Sequence, residues 1–128
     1  MKKATAEWLK SAEMDLETLT QISHKEHLTP VAAFHAQQSV EKCFKAVLEE
    51  NSKKVPKEHS TLRLYGLIQE LIKFDIDIAL LTDMDALYID ARYPGELGLL
   101  PSGKPTLEDV KQLHDLARNI YDKVMRKL

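Results

Sequence analysis

Two groups of residues in this chain have the types and spacing to do chemistry. The first lies in Phe34-His-Ala-Gln-Gln-Ser-Val-Glu-Lys-Cys-Phe-Lys-Ala-Val-Leu-Glu49, where Gln38, Glu41, Lys42 and Lys45 recur at steps of three and four. Residues so spaced share one side of a helix. Gln38, Lys42 and Lys45 form one row, and Gln37, Glu41 and Lys45 the next, with Glu41 preceding Lys45 in the orientation that favours an ion pair. Ammonium groups attract phosphate or a partner's acidic side chains, and amides add directed hydrogen bonds. The plain structural alternative is a solvated helix face with routine ion pairs.

The second group is Asp90-Ala-Arg-Tyr-Pro-Gly95. The guanidinium of Arg92 is a planar fork suited to phosphate, and Tyr93 carries a ring on which a base can stack. Its plain alternative is a helix C-terminus, with Arg92 complementing the dipole and Pro94 and Gly95 ending the helix.

Other combinations carry less. Gly98 through Pro105 nearly spells a phosphate loop, but Pro105 replaces the hydroxyl residue that would meet Mg²⁺, and no strand leads in. Asp75 with Asp77, and Asp83 with Asp85, resemble metal pairs, yet side chains two apart on a helix do not face each other. His24 and His27 complement a helix C-terminus better than they hold a metal, since no further ligand is evident. The lone Cys43 has no activating base beside it, and no Gly-x-Ser-x-Gly elbow is present. No cofactor and no metal site is expected.

The elements that position these groups are helical. Leu9, Ala12, Leu16, Leu19 and Ser23 repeat at alternating steps of three and four, widened by Trp8 and Ile22, and predict a helix over residues 5–23. Thr29 is placed to cap a second helix with Pro30 at its first position. Ala33, Ala36, Val40, Cys43, Val47 and Leu48 form the buried stripe of that helix, at roughly twenty residues about 30 Å long. A third helix starts near Ser60, with Leu64, Leu67, Ile68, Leu71 and Ile72 as its apolar side. Residues 74–81 alternate like a strand, but a lone strand has no partner, so a turn or helix end is expected. A short fourth helix spans about residues 83–92 and stops before Pro94. A loop rich in Gly and Pro runs from 95 to 105. Thr106 and Asp109 then cap a last helix that buries Val110, Leu113, Ala117, Ile120, Val124 and Leu128. The expectation is an all-α, antiparallel, up-down bundle of about five helices forming one domain over residues 1–128.

The chain's 128 residues suffice for a core without staples. Its 18 basic and 20 acidic side chains give a net charge of −2, which does not indicate a global electrostatic grip on nucleic acid and leaves room for local basic patches. One cysteine excludes an intramolecular disulfide and suits a reducing compartment. Lys2 and Lys3 resemble the start of a signal peptide, but Glu7, Lys10 and Glu13 interrupt any apolar region, and no run reaches membrane-spanning length. A soluble, cytoplasmic protein with no membrane partner is expected.

With these residues in view, the chain resembles the HEPN family (higher eukaryote and prokaryote nucleotide-binding domains). Trp8-x₃-Ala12-x₂-Asp15-Leu16 looks like the family's first helix, and Ala33-Phe-His-Ala-Gln-Gln-Ser-Val-Glu-Lys-Cys-Phe-Lys-Ala46 like its second. His59-x₂-Leu62 stands where the family often opens its third helix, and Tyr88-Ile-x₂-Arg92-Tyr-Pro is similar to the Arg-Tyr-Pro signature of one prokaryotic branch. The resemblance implies a helical bundle, frequently a homodimer. It also implies a minimal nucleotidyltransferase as partner, in pairs that behave as toxin–antitoxin systems, with this chain as the helical member.

Many HEPN proteins are metal-independent ribonucleases with an Arg-x₄₋₆-His motif. Arg92 aligns with the motif's arginine, but Glu96, Leu97, Gly98 and Leu99 follow it without a histidine, and the next one downstream is His114. Without that imidazole, acid–base help for attack by a 2′-hydroxyl loses its usual group. Binding of a nucleotide or RNA phosphate is thus favoured. Gln38, Lys42, Lys45, Arg92 and Tyr93 would be the ligand-binding residues, with Glu41 and His59 in support. Asp15 would orient Lys42 or Arg92. The alternatives are an endoribonuclease toxin that uses Arg92 and takes its base from His59 or His114, and a purely protein-docking module. Leu97, Leu99 and Leu100 form a leftover apolar set that suits a dimer seam.

Overall fold

The computed structural model describes residues 1–92 and 104–128, with the side chains of residues 89–92 outside that description. These residues form five α-helices and no strand: α1 (Lys3–Ile22), α2 (Thr29–Glu50), α3 (Thr61–Ile68), α4 (Ile78–Arg92) and α5 (Leu107–Lys127). The expected all-α bundle is the observed one.

α2 is the central rod and packs against each of the other four helices. Its pairing with α1 is antiparallel. Thr5 Oγ1 donates to Glu50 Oε1 at 3.0 Å, and Ser39 Oγ donates to the Ala12 carbonyl at 3.0 Å, so residue numbers fall along one helix as they rise along the other. α5 runs antiparallel to α1 by the same test, with Tyr121 bonded to Glu13 and His114 to Thr20. The core is the set the periodicity predicts: Leu9, Ala12, Leu16 and Leu19 of α1 interlock with Ala33, Ala36, Val40, Cys43 and Val47 of α2, and with Val110, Leu113, Ala117, Ile120 and Val124 of α5. Phe44, fully buried, is the largest side chain at the centre, and truncating such a residue to alanine costs about 3–5 kcal/mol.

Several ends differ from expectation for local reasons. Thr29 does not cap α2. A 3₁₀ turn over Glu26–Leu28 feeds directly into the helix and holds Thr29 at φ −56°, ψ −38°, already helical, whereas a cap residue needs extended backbone. Its hydroxyl is instead buried with no hydrogen-bond partner among the described residues. α4 starts at Ile78 rather than near residue 83, because Asp77 Oδ1 accepts the Ala79 amide at 3.0 Å and Leu81, Met84 and Tyr88 then bury at helical spacing. Leu67, expected in the buried face of α3, is 55% exposed.

Ser60 and Thr106 do cap α3 and α5, the latter in a reciprocal capping box with Asp109. Asp85 of α4 adds a tertiary cap to α3. It accepts the amides of Thr61 at 2.8 Å and Leu62 at 3.2 Å, and the hydroxyls of Ser60 and Thr61. A carboxylate at a helix N-terminus satisfies orphan amides and complements the dipole. Asp85 is therefore a structural clamp between two helices.

α2 closes with a Schellman motif: Lys53 N donates to Leu48 O at 2.9 Å and Ser52 N to Glu49 O at 3.1 Å. Ser52 occupies the left-handed position at φ 56°, the place glycine usually fills.

Candidate functional site

The polar row of α2 faces into the bundle, not away from it. Glu41 and Lys45 are buried, with Lys45 only 5% exposed, and Gln37 is fully enclosed. The reason is the central position of α2: its polar side meets α1, the chain at His59 and the last turns of α4. A buried charge is tolerated only when paired and hydrogen-bonded, and two matching clusters satisfy that condition.

The first cluster is centred on Asp15 of α1. Lys42 Nζ donates to Asp15 Oδ2 at 2.6 Å, and His35 Nδ1 lies 2.9 Å from Asp15 Oδ1. Both partners remain partly exposed, about a fifth to a quarter of each side chain. The second cluster is centred on Glu41. Lys45 Nζ donates to Glu41 Oε2 at 3.0 Å, while His59 Nδ1 lies 3.1 Å from Oε1. Each carboxylate thus holds one ammonium and one imidazole. Gln37 Nε2 ties the second cluster down by donating to Glu41 Oε1 and to the His59 carbonyl, and Gln38 Nε2 donates to Gln37 Oε1 at 2.8 Å. Lys45 also sits 5.7 Å from the Trp8 ring centroid, a cation–π contact.

Rings connect the clusters. Phe34 stacks on Tyr88 of α4 at 5.6 Å, His59 lies 6.1 Å from Tyr88, and His35 meets Phe34 edge-on at 5.5 Å. The two imidazoles therefore stand at opposite ends of an aromatic run. An imidazole whose Nδ1–H is held by a carboxylate has its basic lone pair on Nε2. Either ring is arranged to accept a proton or, once protonated, to bind an anion.

Of the residues expected at a site, the structure brings together Asp15 and Lys42 directly, and Gln38, Glu41, Lys45 and His59 through one hydrogen-bond network. Lys45 sits inside that network rather than at a ligand's reach. Arg92 is the last residue of α4, one turn beyond Tyr88, but its side chain lies outside the described residues, as do Tyr93, the near phosphate loop and the leucines at 97, 99 and 100. Sequence reasoning does not single out His35, and it places Gln37 in the polar row, Trp8 on an apolar stripe and Tyr88 in a motif without giving any of them a site role. The available signal was seven-residue spacing: His35 precedes Lys42, and Trp8 precedes Asp15, by two helical turns.

His114 is engaged elsewhere, its Nε2 3.3 Å from Thr20 Oγ1 between α5 and α1. Cys43 is enclosed in the core, where burial pushes its thiol well above the ordinary range, so it offers no thiolate nucleophile. Among the described residues no group of three or more His, Cys, Asp or Glu could hold a metal ion, and no helix is long and apolar enough to cross a membrane.

The fold and sequence together place the chain among known proteins. No curated protein matches it significantly. It is similar to TT1696 from Thermus thermophilus, at 26% identity over 99% of this chain and 100% of that one, with a TM-score of 0.84. It shares its fold with ST0689, an archaeal HEPN homologue, at 24% identity over 99% of this chain and 98% of that one, with a TM-score of 0.71. The HEPN domain model matches residues 5–128, so the helices, the central polar rod and the two clusters it buries are those of a chain that belongs to the HEPN domain family.

Proposed function

We propose that this protein binds the phosphate of a nucleotide or RNA at the seam between α1 and α2. The observation that carries this reading is the convergence of Lys42 and His35 on the one carboxylate of Asp15, at a place where both stay partly open to solvent. Two cation-capable groups are thereby held ready for one anion. Lys45 and Glu41 act from behind, as the buried frame. Arg92, one turn beyond a tyrosine that packs on Phe34, is the further cation for the phosphate, and Tyr93 the ring for a base. The protein works as a homodimer and as the helical partner of a minimal nucleotidyltransferase in a toxin–antitoxin-like pair; the family likeness supports both points.

Titration calorimetry with nucleoside triphosphates and a short RNA tests this. Binding should weaken about tenfold in Lys42→Met and again in Arg92→Ala, the scale of one charge-assisted contact. Absence of heat with every nucleotide and with RNA would overturn it.

One observation favours a second reading, a metal-independent endoribonuclease. His59 is bound to Glu41 through Nδ1 and its side chain is 54% exposed, which leaves Nε2 as an accessible base. Incubation with RNA in EDTA from pH 5 to 9 decides this; cleavage abolished in His59→Ala supports it, and intact RNA throughout removes it.

A further inference from the structure

The segment before α4 lies against the middle of α5, on residues that take no part in the α1–α2 seam. Between them runs an open groove of about 460 Å³. Ile76, Leu80 and Leu116, each partly exposed, line its floor over buried Ile120. Asp75, Asp77 and Asp115, all exposed, form its rim, and among the described residues no lysine or arginine lines it. Asp77 has a structural duty as acceptor of the Ala79 amide. Lys123 donates to the Asp75 carbonyl at 3.2 Å, not to its carboxylate. Among the described residues, the carboxylates of Asp75 and Asp115 have no ion-pair partner.

Apolar floor and acidic rim ask for opposite things from water. Covering the floor removes apolar surface from solvent, at about 25 cal/mol per Å². Desolvating the uncompensated carboxylates of Asp75 and Asp115 would cancel that gain unless the covering group brought positive charge. A neutral or acidic helix fails the second condition, and a small cation fails the first.

We propose that this groove docks a basic amphipathic helix of a protein partner. Leucine-like residues at steps of three and four enter between Leu80 and Leu116, and flanking lysines or arginines meet Asp75 and Asp115. The same complementarity makes association fast and salt-sensitive. This inference is independent of the phosphate reading, since no group in the Asp15 or Glu41 clusters contributes to it.

The test is an amide-resolved NMR titration of the full chain with a synthetic helical peptide of leucine, lysine and alanine, its leucines at helical spacing. A control peptide carries glutamate at every lysine. Shifts should concentrate in residues 75–80 and 112–120, fade as salt rises, and be missing with the glutamate peptide. Affinity should fall at least tenfold in the Asp75→Lys/Asp115→Lys double variant. Neither carboxylate supports the fold, and circular dichroism checks that the variant remains helical. Shifts elsewhere, equal affinity in the double variant, or no binding would overturn the proposal. So would shifts of the groove residues on dilution without peptide, which would assign the groove to a second copy of this chain.

Discussion

Lys42 of α2 donates to Asp15 of α1 across 2.6 Å, and this contact fixes the register of the two longest-paired helices at their polar edge. The apolar stripes, Leu9, Ala12, Leu16 and Leu19 of α1 against Ala33, Ala36, Val40, Cys43 and Val47 of α2, resist a slide of α1 by one turn only through packing. A charge pair half out of water does not permit it: one turn of slip leaves a carboxylate and an ammonium each unpaired.

Asp15→Asn should therefore destabilise the protein by about 2 kcal/mol. That is below the 3–5 kcal/mol for breaking a fully buried pair, because Lys42 and His35 keep some solvent. Urea unfolding will show a lower midpoint at unchanged slope. Adding Lys42→Met to that variant should return part of the loss, since it removes the charge left without a partner. A midpoint equal to the parent's would mean the pair contributes nothing to stability.

Ser52→Gly should stabilise the protein by about 0.5–1 kcal/mol. The residue sits at φ 56° in the Schellman turn, where a Cβ is strained and glycine is not. The variant loses the hydrogen bond that Lys2 Nζ donates to the serine hydroxyl, but that bond is exposed and worth little. Thermal unfolding should shift upward by a few degrees. A lower midpoint would show that the link to the N-terminus outweighs the strain.

Tyr121 should make stability fall at alkaline pH. Its phenol donates to Glu13 Oε2 at 3.0 Å, and burial, followed by that bond and the carboxylate's charge, pushes it from its ordinary 10 up to about 12. The folded pKa lies above the unfolded one, so the unfolded chain releases the proton first. The folded state then loses ground as pH rises from 10 to about 12. Tyr121→Phe removes this loss, on the order of 1 kcal/mol, at the expense of the bond to Glu13. Paired urea melts at pH 8 and pH 11 measure the difference. An equal alkaline loss in both proteins would rule this tyrosine out as the cause.

The apolar faces were legible in the sequence because each lies within one helix. Leu9, Ala12, Leu16 and Leu19 need no knowledge of their partners to be placed inside. The polar side of α2 was legible only as a pattern. Whether Glu41 and Lys45 face water or the interior depends on Trp8, His59 and Gln37, whose packing is set by the three-dimensional course of the chain. Asp85 shows the same limit. Its neighbour Asp83 invites a metal reading, while its actual partners, Ser60, Thr61 and Leu62, lie more than twenty residues upstream. Thr29 failed for a local reason instead, because the 3₁₀ turn before it had no visible punctuation.

The chain has a single tryptophan, and it lies beneath the ammonium of Lys45. That arrangement makes the indole a native fluorophore for the buried polar frame. A charge above an excited ring shifts its emission, so any event that draws Lys45 away from Glu41 changes colour and yield together. Occupancy of the neighbouring seam can thus be followed optically in the unlabelled protein.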